Sequence, residues 1–419
     1  MPHDDDHGTT TTRPTTTPSR RRAVAIGATS VLAVGALGAG VWWGAGSVLA
    51  DDPGVASSAA GEPAANPVVQ DRLEGLVDLG FPAALASVTH PDGDHDDYVA
   101  GVGDVATGAA VPVDGEVRVG SNTKTFTAVT VLQLVDEGLV ELDAPIETYL
   151  PGLVRGDGID GRAITVRQLL QHTSGLPEYT AEFALELEKI QHAYVPTRDL
   201  IDIALAQPAH FAPGERWEYS NTNYILLGML IEKVTQRPVA EEVTERIVDP
   251  LGLEHTYYPT AGEQELRGDH PTAYHVGSDG EQIDVTELDP SWAGAAGQVV
   301  ASPSDLNEFA RAVLDGRLLS EEMMTEMQTT VPSDDGSWPG AEYGLGLQSY
   351  PLSCGGVIWG HGGDIHGFQT RNGVAPDGTA FSVAVTSLPW GFIDMDDEDA
   401  LDEAYDAVTD TLDAAFCEA

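Results

Sequence analysis

Only three lysines occur among the 419 residues, Lys124, Lys189 and Lys233, and the first stands three positions after a serine. Ser121-Asn122-Thr123-Lys124 follows a Val-Gly break and opens an apolar helical pattern from Thr123 to Glu137 that stops at Gly138. Residues at i and i+3 share a helix face, and the positive end of the helix dipole lies beside the hydroxyl. An adjacent amine can take the hydroxyl proton, which a serine needs lifted to act as a nucleophile at neutral pH. Two later segments carry matching chemistry. Tyr219-Ser220-Asn221 precedes the helical pattern Tyr224–Val234. A cation such as Lys124 would favour the phenolate of Tyr219, and the Asn221 amide could serve both Lys124 and a substrate carbonyl. His361-Gly362-Gly363-Asp364 follows the strand-like run Val357–Gly360. Its glycines admit a substrate backbone, and the Asp364 N–H could join that of Ser121 as an oxyanion hole.

The fold must bring these three segments together. A helical pattern at Val68–Leu79 is followed by strand-like runs at Ala83–Val88 and Tyr98–Gly103, joined by an Asp- and His-rich turn. Helical segments follow near Val166–Gln171, Arg198–Ala206 and Tyr224–Val234. Strand-like runs return at Tyr343–Leu347, Val357–Gly360, Gly367–Val374 and Phe381–Ser387, before an acidic amphipathic helix over Asp396–Phe416. Both chain ends therefore supply strands and the middle supplies helices. The pattern predicts an α/β protein of the α+β type: an antiparallel sheet flanked by helices, with a largely helical lobe inserted.

Charge excludes some partners. Asp and Glu number 67 against 20 Lys and Arg, a net charge of −47. Such a surface repels nucleic acid and anionic lipid. Self-repulsion on this scale is relieved by screening salt, so either adaptation to high salt or an acidic secreted protein accounts for it. No spacing of His, Cys, Asp or Glu matches a metal motif, and the chemistry above calls for no cofactor. Residues 1–22 form an acidic, Thr-rich tail ending in Arg20-Arg21-Arg22, and an apolar run covers 23–50. Basic residues before an apolar run ending in Val48-Leu49-Ala50 fit an export signal; its length fits a membrane anchor equally. Either reading puts the catalytic part outside the cytoplasm, secreted or held at the outer face of the membrane. Residues 51–66 read as a linker and 67–419 as the catalytic domain. Two cysteines, Cys354 and Cys417, suffice for one disulfide in an oxidising compartment.

Ser-x-x-Lys, then Tyr-x-Asn, then a basic residue with Gly two positions later is the order found in the penicillin-recognising serine enzymes. Together with the text around Arg118–Gly152, Ile164–Tyr179, Phe211–Thr235 and Tyr343–Gly363, it resembles the extracellular serine D-alanyl-D-alanine carboxypeptidases, the branch near class C β-lactamases. The resemblance runs from about Val68 to Cys417 and places His361 where many relatives have lysine. It implies a five-stranded antiparallel sheet with an all-helical lobe, and acylation of Ser121 with Lys124 and Tyr219 handling its proton. Asn221 and His361 would complete the polar network, Trp292 would form an aromatic wall of the cleft, and Cys354 would be bridged to Cys417. The substrate would be a peptide, amide, ester or β-lactam, and the enzyme a monomer.

Substrate-binding positions depart from that pattern. The relatives hold a terminal carboxylate with an arginine and threonines; here Gln348, Gly362 and Asp364 stand in those places, next to Gly363. A charge-assisted hydrogen bond is worth roughly 1.5–3 kcal/mol, so free-acid peptides should be poor substrates unless Arg371 or Arg216 substitutes. Amides, esters or substrates with an amine near Asp364 should be better ones.

Overall fold

The computed structural model describes residues 66–180, 187–277, 282–333, 338–394 and 396–418. The acidic tail, the apolar run 23–50 and the linker up to residue 65 lie outside the described residues. Among those described, no helix is long and apolar enough to cross a membrane.

Helix α1 (Pro67–Leu79) begins where the Asn66 side chain accepts from the Val68 N–H at 2.9 Å, with proline in its first turn. Those are favoured start signals. Its apolar stripe, Val69, Leu73 and Leu76, is buried. The main sheet contains, in chain order, β1 (Ala83–Thr89), β2 (His95–Gly101), β3 (Val331–Pro332), β4 (Glu342–Tyr343), β5 (Gln348–Pro351), β6 (Val357–Gly360), β7 (Gly362–Ile365), β8 (Phe368–Val374) and β9 (Ala380–Val385). Their order is β2-β1-β9-β8-β6-β5-β4-β3, with β7 also on β8. Every pairing is antiparallel, and Ala84 faces Val385, so strands from the first and last parts of the described chain pair next to one edge of the sheet.

The sheet is larger than the five strands the resemblance implies. One strand breaks at His361 into β6 and β7, and the short β3, β4 and β5 widen that edge. The expected strand over Tyr343–Leu347 is also divided. Gly344 N–H bonds back to Leu347 O at 2.8 Å, and Gly346 has φ +75°, so the chain turns instead of extending. A Cβ on Gly346 would lie 2.4 Å from that of Ala128, which shows how closely this turn meets the next helix.

That helix, α2 (Thr123–Asp136), has eleven of fourteen residues buried, as an all-round apolar central helix should. Its threonines are satisfied locally: Thr125 donates to Gly346 O and Thr127 to Ala295 O, each at 2.8 Å. Helix α3 (Asn221–Thr235) packs beside it. The inserted lobe is not wholly helical, since Tyr274–Val276 pairs with Gln282–Asp284 and Arg155–Gly156 with Ile159–Asp160. On the sheet, α4 (Pro303–Leu314) covers one face and stacks Phe309 on Phe126 at 3.6 Å. Helices α1 and α5 (Glu398–Cys417) share the other hydrophobic layer with Phe381, Val383 and Val385. Cys417, closing α5, is bonded to Cys354 in the β5–β6 turn, with Cα atoms 5.5 Å apart.

Candidate active site

The Ser121 turn owes its place to backbone contacts that only glycine allows. Residues Gly120–Asn122 form one 3₁₀ turn leading into α2. Gly120 has φ +49°, and a Cβ there would sit 2.8 Å from the Asp364 backbone nitrogen. The turn is therefore pressed against β7, the strand whose N–H was expected beside Ser121. Asn122 locks it from behind, donating to Val119 O at 3.1 Å and to the Thr370 hydroxyl at 2.7 Å.

Lys124 is wholly buried, and its amine meets Ser121 Oγ at 2.9 Å, Asn221 Oδ1 at 2.7 Å and Ala296 O at 2.7 Å. Burial pushes its pKa down to about 7, against the pull of the Glu178 carboxylate. The neutral amine suits this site. Its two N–H groups match the two carbonyl acceptors, leaving the lone pair for the Ser121 proton.

Tyr219 also bonds to Ser121, and the Lys124 amine lies 4.8 Å from its ring centre. Here the expectation of a phenolate reverses. Burial holds the phenol well above its ordinary pKa, and the Ser121 hydrogen bond offsets only part of that. A lysine that is itself half neutral near pH 7 supplies little cationic help, so the phenol of Tyr219 keeps its proton.

Asn221, first residue of α3, is held by a residue that sequence reading missed. Glu178 accepts from the Asn221 backbone N–H at 2.6 Å and from its Nδ2 at 3.1 Å. A carboxylate only accepts, so the amide must turn its oxygen toward Lys124. It also caps α3, whose own N-cap Ser220 makes no side-chain cap bond. Nothing in the spacing links Glu178 to a partner 43 residues later.

His361 is buried, and both of its ring nitrogens have partners other than Ser121. Nε2 meets the Tyr343 hydroxyl at 2.9 Å and Nδ1 meets Gly362 O at 2.6 Å. Burial, with Lys124 nearby, lowers its pKa to about 3, so it is a neutral ring. His361 thus ties the start of β7 to Tyr343.

A cavity of about 1060 Å³ opens over Ser121 and Asn221. Its wall is largely apolar, with Ile283, Trp292, Leu388, Trp390 and Phe392, while Asp364 and Asp394 add two carboxylates. Trp292 meets His366 edge-on at 5.3 Å, and its carbonyl accepts from Tyr179 at 2.6 Å. Gln348 and Gly363 do not border the cavity. Gln348 is buried and accepts from the Tyr350 hydroxyl, while Gly363 O accepts from Thr370 at 3.2 Å. Neither candidate arginine reaches it: Arg371 is paired with Asp364 at 2.7 Å, and Arg216 bonds Glu218 at 2.7 Å beside Phe211. Among the described residues, the only Lys or Arg on its wall is Lys189.

Comparison with known proteins agrees with this geometry. The family profile described as Beta-lactamase matches residues 68–406. A D-stereospecific amidohydrolase from Streptomyces sp. is 38% identical in sequence, with a TM-score of 0.75 over 84% of this chain and 99% of that one. The D-amino acid amidase from Ochrobactrum anthropi SV3, solved with L-phenylalanine amide, is 26% identical, with a TM-score of 0.69 over 82% and 98%. Penicillin-binding protein 4 of Amycolatopsis lactamdurans is 28% identical over 74% of this chain and 78% of its own length. With its Ser121–Lys124 pair seated in that fold, the chain belongs to the β-lactamase family and is a serine hydrolase.

Proposed function

We propose that the protein hydrolyses amides of D-amino acids bearing a free α-amine, through an acyl-enzyme on Ser121. The observation that carries this is the pairing of an amine-contacted serine with a largely apolar cavity that the Asp364 and Asp394 carboxylates border. Ser121 Oγ attacks the amide carbonyl as its proton passes to neutral Lys124. The N–H groups of Ser121 and Asp364 receive the oxyanion. The proton returns by way of Tyr219 to the departing nitrogen, the C–N bond breaks and ammonia leaves. Water repeats the sequence on the ester and releases the amino acid.

Asp364, which would share its carboxylate with Arg371, is the candidate partner of the substrate's ammonium, and the aromatic wall suits a bulky side chain. The similarity to a D-stereospecific amidohydrolase and to a D-amino acid amidase supports the same class. A carboxypeptidase reading has the likeness to a penicillin-binding protein in its favour, but it requires a cation for the terminal carboxylate where Asp364 stands. The Arg20–Arg22 cluster, the apolar run 23–50 and a disulfide support an extracytoplasmic location.

D-phenylalanine amide, its L-isomer, D-phenylalanine methyl ester and an acyl-D-Ala-D-Ala peptide, assayed against wild type and Ser121→Ala, test the reading. Turnover should favour the D-amide and disappear in the variant. Asp364→Asn should raise KM for the amide roughly 10-fold or more, the loss of one charge-assisted hydrogen bond. A preference for the free-acid peptide would refute the proposal.

A further inference from the structure

His172 takes no part in the chemistry so far, yet it bonds to both chain neighbours of Tyr219 and packs against its ring. It is fully buried and has φ +57°. That left-handed backbone turns its carbonyl and its ring toward the same loop. The carbonyl accepts from the Glu218 N–H at 3.0 Å. Ring Nδ1 accepts from the Ser220 N–H at 3.2 Å and meets Asn223 Nδ2 at 3.0 Å. Both chain neighbours of Tyr219 are thus bonded to one residue, and the His172 ring lies 4.4 Å from the Tyr219 ring at a 31° tilt.

The other ring nitrogen continues the chain. His172 Nε2 meets the Tyr343 hydroxyl at 3.2 Å, Tyr343 meets His361 Nε2 at 2.9 Å, and His361 Nδ1 meets Gly362 O at 2.6 Å. The direction of every bond is fixed by its ends. A backbone N–H only donates, so His172 carries its proton on Nε2 and gives it to Tyr343. A backbone carbonyl only accepts, so His361 carries its proton on Nδ1, and Tyr343 donates to His361 Nε2. One unbroken line of neutral groups therefore joins the loop bearing Tyr219 to the strand bearing Asp364.

We propose that His172 is the positioning residue of Tyr219, and that through Tyr343 it fixes the His361 tautomer that anchors the start of β7. The proton donor and the oxyanion strand come from separate parts of the chain, and His172 keeps them in one register. This rests on Ser121 as the nucleophile but not on the choice of amide substrate. A fluorophosphonate probe that labels Ser121 therefore reads it independently of D-amide turnover.

Two substitutions tolerate the positive φ. His172→Asn keeps an acceptor near the Ser220 N–H but loses the ring and the link to Tyr343; His172→Gly loses all three. Circular dichroism and thermal melts establish that each variant is folded. The maximal labelling rate should fall about 10-fold in His172→Asn and about 100-fold in His172→Gly, the scale expected for an ångström of misplacement. The half-saturating probe concentration should stay within about twofold, since the cavity wall is untouched. Tyr343→Phe leaves the Nδ1 and ring contacts that hold the Tyr219 loop and removes the hydroxyl that bridges His172 to His361, so its rate should fall about fivefold. A folded His172→Gly that labels like wild type overturns the proposal, as does an Asn variant no faster than Gly. If neither His172 variant folds, an unchanged rate in Tyr343→Phe overturns it. A wild type that labels but leaves D-phenylalanine amide intact would count only against the substrate assignment.

Discussion

The buried amine of Lys124 ties catalysis to stability through a single proton. Its pKa is lowered from the ordinary lysine value of 10.5 to about 7, a displacement that corresponds to about 5 kcal/mol. In the unfolded chain the amine is charged up to pH 10.5, while in the native protein it is neutral above pH 7. The folded state therefore binds fewer protons across that window, so stability rises with pH between 7 and 10.5 and is lowest below 7. Lys124→Met keeps the volume and removes the titration. It also leaves Asn221 Oδ1 and Ala296 O without their donor, which costs about 1–3 kcal/mol each at every pH. The constant part cancels when the two proteins are compared across pH. Urea unfolding of wild type and variant at pH 6, 7, 8 and 9 should show the wild type gaining about 3 kcal/mol on the variant from the lowest pH to the highest. The same proton should govern rate: kcat/KM falls below a midpoint near pH 7, as the amine loses the lone pair that takes the Ser121 proton. Parallel stability curves, or a rate flat down to pH 5, would refute a buried neutral lysine as the base.

Three further outcomes follow from particular contacts. Gly120→Ala forces a side chain into a positive φ and against the Asp364 backbone; it should cost about 1–3 kcal/mol in stability and nearly all activity, read by melting and D-amide turnover. Reducing Cys354–Cys417, or replacing both by serine, opens a loop closed across 63 residues; stability should fall by about 4 kcal/mol in urea titrations, with the Ser121–Lys124 geometry and KM unchanged. Raising salt from low to molar concentration should raise the melting temperature, since screening relieves a net charge of −47; no salt dependence would remove the high-salt reading.

Helix starts and strand alternation were legible because they depend on neighbours within a few residues. The apolar pattern over Val68–Leu79 announces α1, and the apolar run after Ser121 announces α2. The Tyr343–Leu347 run reads as a strand by composition, but Gly344 and Gly346 turn because α2 passes directly beneath. The same limit applies at the site. Ser121, Lys124, Tyr219, Asn221 and His361 were identifiable from residue type and order. Glu178 and His172 were not, because an acid in a loop and a histidine before a threonine carry no local mark of their partners.

Sequence by itself determined the setting of Ser121: a serine one turn before a lysine, at the start of a helix apolar enough to be buried. It also determined the sheet's origin in both chain ends and an acidic surface unfit for polyanions. Tertiary structure decided the protonation states. Burial lowers the pKa of Lys124 to about 7, holds the phenol of Tyr219 protonated and keeps His361 neutral, and desolvation depends on everything packed around a group. It decided, too, that Asp364 borders the cavity and Gln348 does not, because strand register and the turn at Gly120 set which side chains face Ser121.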